Sequence, residues 1–378
     1  MFTLRPRARR GAVVRRAHRG RMRIAVVSES FLPAVDGTTT TVRAVVDRLV
    51  DRGHQVVVVA SGPGLATYRG ARVVRVSALT RPGGQVRAAL DAFAPDVVQV
   101  TGPGTIGRKA LKHTHRTGVP SLVVQQTPPR DLTWERWRST VAERTDHLLV
   151  TAPWLAGRFS SLGVTAGTWL PGVDARAYTP ALRDPWLHDH WARARSARGP
   201  LVVVGYVGSL HKRHGVRRLA ELADVPGIRP VVIGTGPQED WLRERLPAAK
   251  VTGALSTGDL TVALASLDVL VHPGEEETCC HALREGAASA LPLVAPRSGG
   301  ARDLVLPLET GLLYDPDRPG ALARAVAAVA ADPRRALLGH RGRELSLDRS
   351  WTDAADELLG HLDRLARGHA GARPAHGV

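Results

Sequence analysis

The sequence predicts an α/β protein of two doubly wound parallel-sheet domains facing each other across a cleft. Three observations carry that expectation. Short β-branched runs alternate with helical patterns along the chain, the signature of parallel strands covered by helices on both faces. The alternation breaks once and then restarts. A length of 378 residues is more than one ordinary core accommodates and suits two.

The first series runs through "RIAVV" at 23, "QVVVVA" at 55, "ARVVRV" at 71, "PDVVQV" at 95, "PSLVVQ" at 120 and "DHLLVT" at 146. The second holds "PLVVVGYVG" at 200, "RPVVIGTG" at 229, "AKVTG" at 249, "DVLVHPG" at 268 and "LPLVAP" at 291. Between them, residues 171–200 carry Pro, Gly, Asp and Trp without a clean period, as an interdomain connection does. The expected division is a basic, disordered extension at 1–21, a first domain at 22–171 and a second at 172–350. A helix at 351–367 should pack back on the first domain, and a polar tail at 368–378 reads as disordered.

Hydrophobic content of 43% with 23% charged residues describes a globular chain, and no stretch reaches the roughly 20 apolar residues of a membrane helix. The two cysteines, Cys279 and Cys280, are adjacent, so they cannot staple distant segments and lack zinc-site spacing. A cytoplasmic location is expected. The formal charge is +17, and it falls to +9 without the eight arginines of residues 1–21. That balance still favours an anionic ligand or surface. With four lysines in all, the basicity looks compositional, Met22 is a candidate start, and nucleic-acid binding ranks below a mis-assigned extension.

Candidate site residues fall at strand ends, where doubly wound domains bind ligands. After the first strand, Gly37 permits a tight turn and the threonines at 38–41 can cap a helix. A phosphate site and a capped surface turn both fit. Gly234, Gly236 and Pro237 stand between a strand and a helix, again as a nucleotide loop or a plain βα turn. Gly205 and Gly208 allow close backbone approach, and His211, Lys212, Arg213 and His214 offer positive charge where a diphosphate could lie. Glu277 and Glu285 are eight positions apart; with a helix starting near Thr278 they would lie about 12 Å apart along its axis. That spacing suits two groups of one long ligand better than a pair acting on a single bond. An acidic loop with a surface glutamate is the competing reading.

Taken in order, "RIAVVSESFLPAVDG", "WLPGVD", "GYVGSL", "VVIGTGP", "ASLDVLVHPGEEETCCHALREGAASALPLVAPRSGGARDLV" and "GLLY" resemble the retaining glycosyltransferases of family 4. The resemblance spans about residues 22–367, and its pattern is closest to bacterial GDP-mannose-dependent α-mannosyltransferases. It implies the GT-B fold of two Rossmann-like domains. It further implies transfer of a hexose from a nucleotide-diphosphate sugar, GDP-mannose favoured and a UDP-sugar open, to a hydroxyl of a lipid, glycan or natural product. No cofactor beyond the donor substrate and no metal are implied, and peripheral association with the inner face of a membrane is compatible. By the family's E-x7-E motif, Glu277 would lie near the donor sugar and Glu285 on the ribose. Gly37 would match the glycine loop facing the diphosphate; residues 234–237 and Thr252 to Leu255 would flank the nucleotide. Gly208, Ser209, Lys212, Arg213 and His214 would form the diphosphate loop, with Thr278, Cys279 and Cys280 at the helix start.

Several positions depart from the family. Ser209 and His214 stand where members commonly carry the arginine and lysine that hold the diphosphate. Cys279 and Cys280 replace a usual Phe-Gly and read as small packing residues, Pro128 replaces an aspartate, and no histidine follows that strand. Gln126, Thr127 or Asp131 are candidates to contact acceptor or donor instead. The departures raise an alternative: a sugar-nucleotide binder without efficient turnover.

Overall fold

The computed structural model describes residues 20–34, 36–129, 132–193 and 199–371. Most of the basic extension, the end of the tail and Asp131 lie outside the described residues. The first sheet contains β1 (Arg23–Ser28), β2 (Gln55–Ser61), β3 (Thr67–Tyr68), β4 (Ala71–Val76), β5 (Val97–Thr101), β6 (Ser121–Gln125), β7 (His147–Val150) and β8 (Gly167–Thr168). Their spatial order is β3-β4-β2-β1-β5-β6-β7-β8, parallel except for the β3–β4 pair. Alternation of side chains along each strand feeds two layers. Ile24, Val26 and Val58 pack with Val42, Val45 and Leu49 of α1 (Gly37–Asp51) on one face. Ala25, Val27, Val57 and Val59 pack with Ile106, Ala110 and Leu111 of α2 (Thr105–Thr117) on the other.

The second sheet contains β9 (Val202–Val207), β10 (Ile228–Ile233), β11 (Lys250–Gly253), β12 (Val269–Val271), β13 (Leu293–Pro296) and β14 (Gly311–Tyr314). Its order, β11-β10-β9-β12-β13-β14, repeats the logic of the first. In each sheet the first strand lies between neighbours that follow it in opposite directions: β1 between β2 and β5, β9 between β10 and β12. Such reversals leave a crevice at the carboxyl ends of the strands. The doubly wound α/β class read from the sequence is the observed one. The two-residue strands β3 and β8 carry no period, and neither they nor the edge strand β14 are among the eleven runs read from the sequence.

The chain crosses between the sheets twice, side by side. Val173 bridges to Ser350, and Arg349 Nη2 donates to Leu170 O at 2.6 Å. From there α4 (Trp351–Gly371) lies on α1: Arg48 and Arg52 both donate to Asp356, at 2.5 and 2.7 Å. Trp169 Nε1 donates to Ala354 O at 2.7 Å. The two guanidiniums hold the Asp356 carboxyl far below its usual range.

Candidate active site

The site is built on the carboxyl ends of β9 and β12. The loop after β9 and the loop after β10 lie backbone to backbone: Leu210 N donates to Thr235 O at 2.9 Å, and Gly208 N donates to Ile233 O at 3.0 Å. A side chain on Gly234, whose φ is 141°, would meet Gly208 O at 1.9 Å, and one on Gly236 would meet the Leu210 backbone at 2.8 Å. These glycines are therefore required by loop-on-loop packing, before any ligand is considered. Ser209 is exposed, with its carbonyl accepting from Tyr206 OH at 3.0 Å. Pro237 is exposed beyond the second loop, and Leu255 packs half-buried against the second core.

A short 3-10 turn, Lys212–His214, follows. Lys212 and Arg213 are exposed, and Lys212 makes no ion pair among the described residues. Arg213 Nε donates to His214 Nε2 at 3.1 Å, while His214 Nδ1 lies 2.5 Å from Glu277 Oε1. Burial opposes ionisation of Glu277, but the His214 hydrogen bond and the neighbouring His272 outweigh it, and the carboxyl falls to about 2. His272 itself is buried with neither ring nitrogen hydrogen bonded among the described residues, and burial lowers its pKa.

The helix that follows, α3 (His281–Ala288), starts three residues later than the Thr278 start read from the sequence. Cys280 precedes it in the left-handed region, φ 49°, and Glu277 lies in the loop ahead of it. The reason is tertiary. Thr278 Oγ1 bonds Gln126 O and receives Thr151 Oγ1 at 2.9 Å; Cys279 Sγ donates to Thr151 Oγ1 at 3.5 Å. Both side chains are pulled to the first domain, so the loop cannot wind into helix there. Gly300 N donates to Glu277 O at 2.6 Å and holds the loop from the other side.

Thr278, Cys279 and Cys280 thus do not reach into the site with their side chains. The first two belong to a buried polar cluster between the domains, and Cys280 packs with Leu270 and Leu283 in the second core. Burial pushes both thiols up. Gln126 is a member of the same cluster, donating to Thr41 Oγ1 at 2.7 Å while its Oε1 is buried without a hydrogen bond among the described residues; Thr127 is exposed. Across the cleft, Gly37 opens α1, whose Asp36 cap accepts from Thr39 N at 2.7 Å. His281 Nε2 donates to Gly37 O at 3.1 Å, and burial lowers the ring to about 4, so it bridges the cleft uncharged.

Glu285, on α3, differs from Glu277. Burial raises its carboxyl to about 7, opposed only by a hydrogen bond from Tyr178. Tyr178 comes from the aperiodic connection, and burial beside Glu285 raises its hydroxyl strongly. Tyr178, His281 and His272 escaped the sequence reading. So did Glu29 at the end of β1, whose Oε1 accepts from Gly107 N at 2.9 Å at the start of α2. None of these belongs to a spaced motif that would have marked it.

Comparison with known proteins places the chain in a family. Residues 35–177 match the model "Glycosyltransferase Family 4" and residues 202–332 match "Glycosyl transferases group 1". The chain is 37% identical to a GDP-mannose-dependent alpha-mannosyltransferase of Mycolicibacterium smegmatis, over 90% of this chain and 97% of the relative. Proteins of the same description from Mycobacterium tuberculosis and Corynebacterium glutamicum are 34% and 31% identical, over 90% of this chain and 96% and 88% of theirs. Among solved structures, HepE of Anabaena in complex with UDP superposes with a TM-score of 0.75 at 16% identity, covering 91% of this chain and all 100% of that one. Sucrose-phosphate synthase of Thermosynechococcus elongatus gives 0.74 at 20% identity, with 93% and 100% covered. Those two likenesses speak to the fold, and it is the GT-B fold. On the strength of relatives matched over nearly their whole length, the chain belongs to glycosyltransferase family 4.

Proposed function

We propose that this enzyme transfers mannose from GDP-mannose to a hydroxyl acceptor with retention of configuration at the sugar. The donor base and sugar come from the relatives of 31–37% identity, three of which are described as GDP-mannose-dependent. The observation that carries the site assignment is the His214-held, ionised Glu277 at the carboxyl end of β12, eight residues before Glu285. In this reading Glu277 accepts hydrogen bonds from the mannose hydroxyls and Glu285 from the ribose. The diphosphate lies over the loops after β9 and β10, facing Gly37. Arg213 is engaged with His214, so within this turn Lys212, without an ion pair among the described residues, is the cation to meet the phosphates.

The bond between the sugar C1 and the diphosphate oxygen breaks as the acceptor oxygen bonds C1 on the same face. The acceptor proton passes to the departing diphosphate. Negative charge grows on that diphosphate, and preorganised N–H groups and Lys212 stabilise it there. The acceptor, a lipid, glycan or natural product, sits on the first domain. No helix among the described residues is long and apolar enough to cross a membrane, so a lipid acceptor would be met at a membrane surface. The relatives named above are transferases, and nothing among them favours a binder without turnover.

The test is release of GDP from GDP-mannose against UDP-glucose and UDP-N-acetylglucosamine, with lipid extracts and glycans as acceptors, and anomeric NMR of the product. GDP release with an α-linked product is expected. Turnover of a UDP-sugar in place of GDP-mannose, or a β-linked product, overturns the reading.

A further inference from the structure

We propose that Arg213 and His214 act together as a relay that positions Glu277. The inference rests on the donor site proposed above. A guanidinium has donors and no acceptor, so Arg213 Nε–H at 3.1 Å from His214 Nε2 requires that nitrogen to be bare. The ring proton then sits on Nδ1 and is donated to Glu277 Oε1 at 2.5 Å. His214 is in this way an uncharged donor, and the positive charge stands one residue behind it, on Arg213. With Oε1 committed, Glu277 presents Oε2 to the donor sugar. His272 and His281 also act on this carboxylate; the His272 ring has no hydrogen-bond partner among the described residues, and His281 Nε2 is spent on Gly37 O, so neither competes with His214.

The relay makes His214 a positioning residue, with Arg213 acting through it. The competing role, Arg213 directly on the diphosphate, predicts a different pattern in a double-mutant cycle. Donor kcat/KM is measured for His214→Leu, His214→Asn, Arg213→Ala and the double variant Arg213→Ala with His214→Leu. His214→Leu should lower it by about 10- to 100-fold, the range of a lost hydrogen bond to a charged group. His214→Asn, whose amide N–H replaces Nδ1–H, should recover most of that loss. Arg213→Ala should cost several-fold alone and nothing more in the Leu background. Additive losses, or no rescue by Asn, overturn the relay.

A second readout needs no donor. In the ligand-free protein with ring-15N-labelled histidine, the His214 signal, identified by its disappearance in His214→Asn, should report Nδ1–H with bare Nε2. A doubly protonated ring or an Nε2–H tautomer at neutral pH overturns the relay. An error in the choice of donor would leave this result standing.

Discussion

Glu277 and Glu285 share a motif and little else. Glu277 lies in a loop, hydrogen bonded by His214 at 2.5 Å, and its carboxyl is held near 2. Glu285 lies on α3, where burial raises it to about 7 and only Tyr178 opposes that rise. The first is held by a hydrogen bond inside the protein; the second is desolvated, with its carboxyl pushed up by burial. In the proposed donor site the two acids, equivalent in the sequence, would divide the work: Glu277 preorganised, Glu285 responsive to binding.

The sharpest way to break this comparison is kinetic. Glu277→Gln should lower transfer by about 10²–10³, mainly in kcat, because a preorganised group contributes most where charge and geometry change. Glu285→Gln should act mainly on KM for the donor, by about tenfold, the size of one charged hydrogen bond. Initial-rate measurements over a range of donor concentration check both. Equal losses in the same parameter would mean that the two acids form one symmetrical clamp after all.

Stability should separate them with opposite signs. Glu277 has a folded pKa below the ordinary 4.5, so its contribution is present above pH 4.5 and is lost as pH falls toward 2. Glu285 has a folded pKa above 4.5, so its contribution is full below pH 4.5 and is lost as pH rises through 7. At pH 8 and without ligand, Glu285→Gln should stabilise the protein and Glu277→Gln should destabilise it, each by up to about 3 kcal/mol. Denaturant unfolding at pH 5 and pH 8 checks this, and the gain from Glu285→Gln should shrink at pH 5.

The same contrast explains what the sequence could show. Period and β-branched runs placed eleven of the strands, because the middle of a strand buried on both faces must be apolar, as Ile24, Ala25, Val26 and Val27 of β1 are. The eight-residue spacing found both acids, since spacing survives in a linear string. What joins them to the rest does not: His214 and Glu277 are 63 positions apart, and Tyr178 reaches Glu285 from a segment without period. The start of α3 was misplaced because contacts from Gln126 and Thr151, over 120 positions away in the chain, hold Thr278 out of the helix. Gly234 and Gly236 were visible, but their immediate neighbour is another loop of the protein.

The adjacent cysteines repeat the comparison on a smaller scale. Cys279 belongs to the polar cluster between the domains, where it bonds Thr151 Oγ1 at 3.5 Å; Cys280 belongs to the core of one domain. Burial keeps both thiols protonated, so neither should alkylate readily in the folded protein. Exposing Cys279 requires only that the domains part, whereas exposing Cys280 requires the second core to open. Thr151→Val removes hydroxyl contacts to both Thr278 and Cys279, at a cost of about 1 kcal/mol. Labelling of Cys279 by iodoacetamide, followed by peptide mass spectrometry, should therefore quicken about fivefold in Thr151→Val while Cys280 stays at its original rate. If both thiols quicken together, the cluster is part of the second core's own stability and does not report on the contact between domains.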